Sequence, residues 1–255
     1  MKKVLVLSLL GIFILTGCGT QGSSGMFHNT FIVPFIGLIH WTASLFDGSY
    51  GMAIIFLTIV IRFILSPLML RQYKHQADMK EKMEALKPEM EAIRKQLKET
   101  SDQQKQKELQ QEMMGLYRKH GVNPLGGGCL PLIIQMPILM AFYYAIRTSK
   151  DIATHNFLWF SLGQPDHILM LIAGAVYFLQ FRVQQSFLPK DQANTMKWMG
   201  LVSPIMIMFM SWQAPAAFPL YWTVGGLFLM GQSWYGQYLI KKQKEKLLTT
   251  KGIEK

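Results

Sequence analysis

Cysteine is nearly absent from this chain: Cys18 and Cys129 are the only two among 255 residues, too few for a disulfide framework. Histidine, cysteine and carboxylates nowhere cluster at metal-ligand spacing, no glycine-rich loop is built to cradle a phosphate, and nothing points to a Ser-His-Asp arrangement. No catalytic residue, metal or cofactor is therefore expected, and the chain does not read as an enzyme. Charge is scarce too. Only 16% of residues are charged and 50% are apolar, yet the formal net charge is +11. A nucleic-acid binder would spread its Lys and Arg over a polar fold, so specific DNA binding is not expected. Long apolar runs separated by basic loops fit a protein of the lipid bilayer.

The chain begins MKKVLVLSLLGIFILTGC, with Lys2 and Lys3 ahead of an apolar core too short to be a stable span. Leu15-Thr16-Gly17-Cys18 resembles a bacterial lipobox, which implies removal of residues 1–17 as a lipoprotein signal peptide and lipidation of Cys18. Residues 18–50 then read as an extracellular tether followed by a helix over 31–46 lying in the outer membrane interface, with a sixth span as the alternative.

What the chain has in quantity is apolar length. Residues 51–70, GMAIIFLTIVIRFILSPLML, are long enough to cross a bilayer at about 1.5 Å per residue. Four further apolar segments follow at about 125–148, 168–187, 196–212 and 218–240. The expected fold is thus an all-α membrane protein with five transmembrane helices. Residues 71–121 form the one long hydrophilic segment. In it Met79, Met83, Leu86, Met90, Ile93 and Leu97 follow steps of three and four, and Leu109, Met113 and Leu116 make a second stripe. Two amphipathic helices joined near Thr100 are expected to form a helical hairpin, with Pro88 as a kink or joint, a capping box at 101–104 and Gly121 as the stop.

Orientation follows from counting Lys and Arg. Of the 24 after residue 18, twelve lie in 71–121, three in 182–197 and six in the tail 241–255, against Arg147 and Lys150 on the opposite side. The positive-inside rule then makes the hairpin, the 182–197 loop and the basic tail cytoplasmic, with the N-terminus outside.

One charge breaks the first span. Arg62 has eleven apolar-span residues before it and eight after. An arginine at the centre of a membrane helix costs roughly 2.5–3.5 kcal/mol on insertion scales. No acidic residue lies within the later spans, because Asp166 sits at the edge of its own. Arg62 therefore either snorkels to headgroups or lines a hydrated cavity. Gln135, Gln180, Gln184 and Gln232 are the polar candidates for cavity walls, Gln180 and Gln184 being one turn apart on one helix face. Gln135 has a plainer role open to it, satisfying backbone carbonyls freed by Pro137. Trp234 and Tyr235, near the end of the last span, have the plainer role of interfacial belt residues.

Three runs carry a family resemblance: TIVIRFILSPL around Arg62, GGCLPLIIQMPI at 127–138, and FPLYWTVGGLFLMGQ at 218–232. In this order, after a lipobox and with a hairpin behind the first span, they resemble the YidC/Oxa/Alb membrane-protein insertase family and its Gram-positive, lipoprotein-type branch. The resemblance implies a five-helix core with a hydrophilic groove open to the cytoplasm and the lipid. It implies that Arg62 draws in acidic segments of nascent membrane proteins, with Gln180 and Trp234 as further groove residues. It also implies work in the bacterial plasma membrane with the ribosome, the signal recognition particle pathway and the Sec translocon.

Overall fold

The computed structural model describes residues 28–122, 130–185 and 190–253. The expected signal peptide, Cys18 with its tether, residues 125–129 of the second expected span and residues 186–187 of the third lie outside the described residues. Among those described, helix dominates. A π-helical turn, His28–Ile32, leads into α1 (Val33–Ser44). The chain reverses at Asp47 and Gly48, which take positive φ angles of 51° and 83°. Ser49 then caps the next helix by accepting the Met52 N–H.

That helix, α2 (Tyr50–Glu99), runs for 50 residues, which is about 75 Å at 1.5 Å per residue. A hydrocarbon core of about 30 Å accounts for less than half of it. The apolar run 51–70 and the first stripe of the hydrophilic segment are therefore one rod. Pro88, expected to kink or divide it, lies inside the helix. Proline there removes a backbone bond and its ring crowds the carbonyl four residues back, yet the helix continues through it, with Leu86 and Met90 on either side buried.

α3 (Gln103–Lys119) folds back on α2. Its cap is Asp102 rather than Ser101: the carboxylate accepts the Gln104 N–H at 2.9 Å, and a negative group suits a helix N-terminus better than a hydroxyl. The helix ends as expected at Gly121, whose φ of +62° lets Val122 N–H return to Tyr117 C=O at 2.8 Å. Leu86, Met90 and Val122 form a small core with Met79, Met83, Leu116 and Tyr117 around it. The two stripes face each other.

Then come α4 (Leu130–Thr148), the short α5 (Lys150–Thr154), and an antiparallel pair β1 (Asn156–Phe157) and β2 (Phe160–Ser161). Neither α5 nor the pair was expected from the sequence. α6 (His167–Gln185) and α7 (Lys190–Ser211) follow, and α8 (Ala217–Ile253) carries the fifth expected span and most of the basic tail as one helix. Among the described residues, α2 and α6 have the length and apolar composition to cross a membrane, and 200–211 of α7 is a shorter apolar stretch.

α8 is the hub. It lies along α2 on one side and α6 on the other, and α7 packs on α6. Gly226 permits the second contact, since a Cβ there would sit 2.7 Å from Val176 Cγ1. The main core gathers where α4 ends and α2 and α8 begin. Phe142, Ala145 and Ile146 of α4 meet Phe218, Tyr221 and Trp222 of α8, with Leu57, Ile152, Phe160 and Leu162 alongside. α1 closes this end through Ile39 and Ala43, and Phe35 stacks edge-on against Phe142 at 4.9 Å. Aromatic and aliphatic side chains fill that end of the bundle.

Leu86→Ala should cost the hairpin about 2–4 kcal/mol, the usual range for emptying a buried leucine site. The expected result is faster amide exchange over α3 while α6 and α8 keep their protection.

Candidate functional site

Arg62 lies half-buried on α2, facing α8 and α4. A helical side chain leans toward its own N-terminus, and this one does so. Along the α2–α8 seam, Phe63 meets Phe228 (ring centroids 5.0 Å apart) and Ser66 meets Gln232, so the two helices run side by side in the same direction. The guanidinium reaches back to Tyr221 and Gly225, toward the start of both helices and away from the Leu70 end. Snorkelling past Leu70 is not the conformation adopted.

Three groups surround the charge. Nη2 donates to Gln135 Oε1 at 3.5 Å, the long limit of a hydrogen bond. The guanidinium carbon stands 6.0 Å from the centroid of the Tyr221 ring, at the outer range of a cation–π contact. Gly225 leaves the space on the third side. Gln135 itself is fixed by Tyr221, because its Nε2 donates to the Tyr221 hydroxyl at 2.7 Å and so turns Oε1 toward Arg62. Gln135 thus links α4 to α8 and α2 across the bundle, a use distinct from the repair of its own helix at Pro137. No carboxylate pairs with Arg62 among the described residues. The ion pair of Lys87 with Glu91 is exposed and far along the hairpin.

The other expected residues scatter. Gln180 is buried on α6, one turn beyond Val176 and on the same face toward α8, with no hydrogen bond to Arg62 or Gln135 among the described residues. Gln184, a turn farther, is exposed. Trp234 is 69% exposed and touches neither Arg62 nor Gln135, while Trp222 is buried beside Phe218. The residues next to Trp234 do face inward. Gln232 donates to Ser66 Oγ at 3.0 Å, and Ser233 shares a hydrogen bond with the Tyr73 hydroxyl at 2.9 Å. Those bonds join α2 to α8 just beyond Arg62.

Tyr221 and Gly225 were not singled out by the sequence reading, although both lie in the quoted run 218–232. The available signal was a tyrosine inside an apolar helix, since a buried phenol requires a partner for its hydroxyl. Chemically the arrangement holds a cation in an apolar bundle by an amide oxygen and a ring face. It contains no nucleophile, general base or metal ligand set, and no His/Cys/Asp/Glu group able to hold a metal is present among the described residues.

Comparison with known proteins agrees in kind. The family model described as 60Kd inner membrane protein matches residues 41–245. Membrane protein insertase YidC 2 of Listeria monocytogenes is 46% identical over 91% of this chain and 86% of its own length. Membrane protein insertase MisCB of Bacillus subtilis is 40% identical over the full length of both. The solved structure of an active YidC insertase with its first transmembrane domain resolved superimposes with a TM-score of 0.63 at 25% identity, covering 88% of this chain and 50% of that one. The present chain spans half the length of that larger protein. These names denote insertion into a membrane and no covalent reaction, so the protein is not an enzyme.

Tyr221→Phe removes the hydroxyl that fixes a partly buried amide, a change worth about 1–3 kcal/mol. We expect a lower unfolding temperature for the purified protein in detergent, with Gln135→Leu in the same background adding little further. The sequence runs, the helical architecture and these likenesses together place the chain in the 60Kd inner membrane protein family of YidC-type membrane protein insertases, and in the cell membrane.

Proposed function

We propose that the protein inserts membrane-spanning segments of nascent proteins through a hydrated groove in which Arg62 attracts acidic residues of the substrate. One observation carries this reading: a half-buried guanidinium that no carboxylate of the described chain neutralises. An arginine has five N–H donors, and one long bond to Gln135 leaves most of them for a visitor. Water and substrate carboxylates are the groups that satisfy such a site without covalent chemistry. The packed core where α2 and α8 begin would close the groove at that end. The five-span topology, with a cytoplasmic hairpin and tail and an outside, lipid-anchored N-terminus, rests on the charge asymmetry and the lipobox.

Transfer would proceed in two stages. The polar tail of a substrate enters the wet region, which shortens its path through hydrocarbon and lowers the barrier. Its apolar span then leaves sideways, driven by lipid burial at roughly 25 cal/mol per Å². Weak binding of many unrelated sequences is needed, and Met206 and Met210 of α7, both about half exposed, supply adaptable contacts. Gln180 and Gln184 would extend the polar wall on α6, and Trp234 would meet substrate or lipid at the groove's rim. The ribosome, signal recognition particle and Sec translocon are the partners proposed for the basic hairpin and for the helical extension of α8.

The test is insertion of a single-span reporter with an acidic N-terminal tail, in cells depleted of the native protein. Arg62→Ala is expected to reduce insertion at least about tenfold, corresponding to 1.4 kcal/mol, while Arg62→Lys keeps much of it. Full insertion by Arg62→Ala would end the charge mechanism. Neutralising the reporter's acidic residues should lessen its dependence on Arg62.

A further inference from the structure

Glycine in a helix is less stable than alanine, so a glycine in mid-helix asks for a reason. α8 has two in succession. Gly226 has its reason in the close approach of α6, where a Cβ would meet Val176 Cγ1 at 2.7 Å and the Tyr177 ring at 3.3 Å. Gly225 points elsewhere. The three nearest atoms to a Cβ built on it all belong to Arg62: Nη2 at 2.9 Å, Nε at 3.3 Å and Cζ at 3.5 Å. No packed core side chain and no backbone of another helix stands closer. The empty side of residue 225 is filled by the charged head itself.

We propose that Gly225 is a positioning residue for the insertase, its missing side chain being the seat that holds the Arg62 guanidinium against Tyr221 and Gln135. A methyl group at 225 would fall inside contact distance of Nη2, and the atom that must yield is the far end of a flexible side chain. The helices therefore stay where they are and the charge moves. Displacement would lengthen a bond to Gln135 already at 3.5 Å and shift the cation from a ring already 6.0 Å away. Both interactions fall steeply with distance and angle, so a small movement changes what the guanidinium offers a substrate. The two glycines should thus fail differently: alanine at 226 strains helix packing, whereas alanine at 225 misplaces a charge.

This inference rests on the groove reading above, and its test separates the two. Insertion would be measured for two reporters that differ only in carrying an acidic or a neutral N-terminal tail. Gly225→Ala is expected to lower the acidic-to-neutral ratio about three- to tenfold, the coupling typical of groups in contact. Gly226→Ala should lower both reporters together and leave the ratio near its original value. A second measurement repeats Gly225→Ala in an Arg62→Lys background. Lysine has neither Nε nor Nη2, so the added methyl should there cost less than about twofold. The inference is overturned if Gly225→Ala leaves the ratio unchanged, or if it costs the arginine and lysine proteins equally. Where the lysine protein inserts too little to compare, the ratio decides alone. A normal ratio in Arg62→Ala would instead remove the groove reading, whatever Gly225 does.

Discussion

A single constraint organises this protein: a positive charge held in an apolar bundle without a carboxylate from its own described chain. The insertion cost of such a charge is roughly 2.5–3.5 kcal/mol on biological scales. Against it stand a hydrogen bond to Gln135 at its distance limit and a ring contact with Tyr221 at the edge of its range. A full hydrogen bond to a charged group contributes about 1.5–3 kcal/mol, and a desolvated cation–π pair about 2 kcal/mol. At the observed distances both deliver less. Among the described residues the guanidinium is oriented by its neighbours through contacts at the limit of their range, and the proposed attraction of acidic substrate segments rests on that.

The rest of the bundle keeps that condition stable. If α2 could rotate, Arg62 would turn out to lipid or in against α6. Ser66–Gln232 and Tyr73–Ser233 bond α2 to α8 on one side of the charge, and Phe63–Phe228 packs the same seam beside it. Interhelical bonds of this type average only about 0.6 kcal/mol each in membranes, so their value lies in register more than in stability. The aromatic core at the start of α8 supplies the stability. Tyr221 belongs to both systems, since it stacks on Phe142 at 4.9 Å and also holds Gln135. Core packing and the position of the charge are coupled through that one side chain.

The hairpin is built by a separate logic. Its core of Leu86, Met90 and Val122 is separate from the main core, and α2 runs unbroken from it to the site. The same helix thus carries both the hairpin's first stripe and the residue Arg62. The basic end of α8 provides a second such continuation.

Much of this was legible in the sequence because it depends on local periodicity or on counting. Helix content, the two facing stripes of the hairpin and the stop at Gly121 all came from spacing and composition. Pro88 does not divide the helix, and the leucine and methionine beside it are buried. Trp234 suited a groove by chemistry; it is 69% exposed and stands outside the contacts of Arg62, while its neighbours Gln232 and Ser233 bond to α2. The partners of Arg62 were beyond sequence reasoning. Gln135 is 73 residues away and its bond to Tyr221 spans 86 more. The sequence determined by itself that a lone cation would lie in an apolar helix; only tertiary packing decided which amide, ring and glycine receive it, because helix rotation and approach are fixed by contacts distant in the chain.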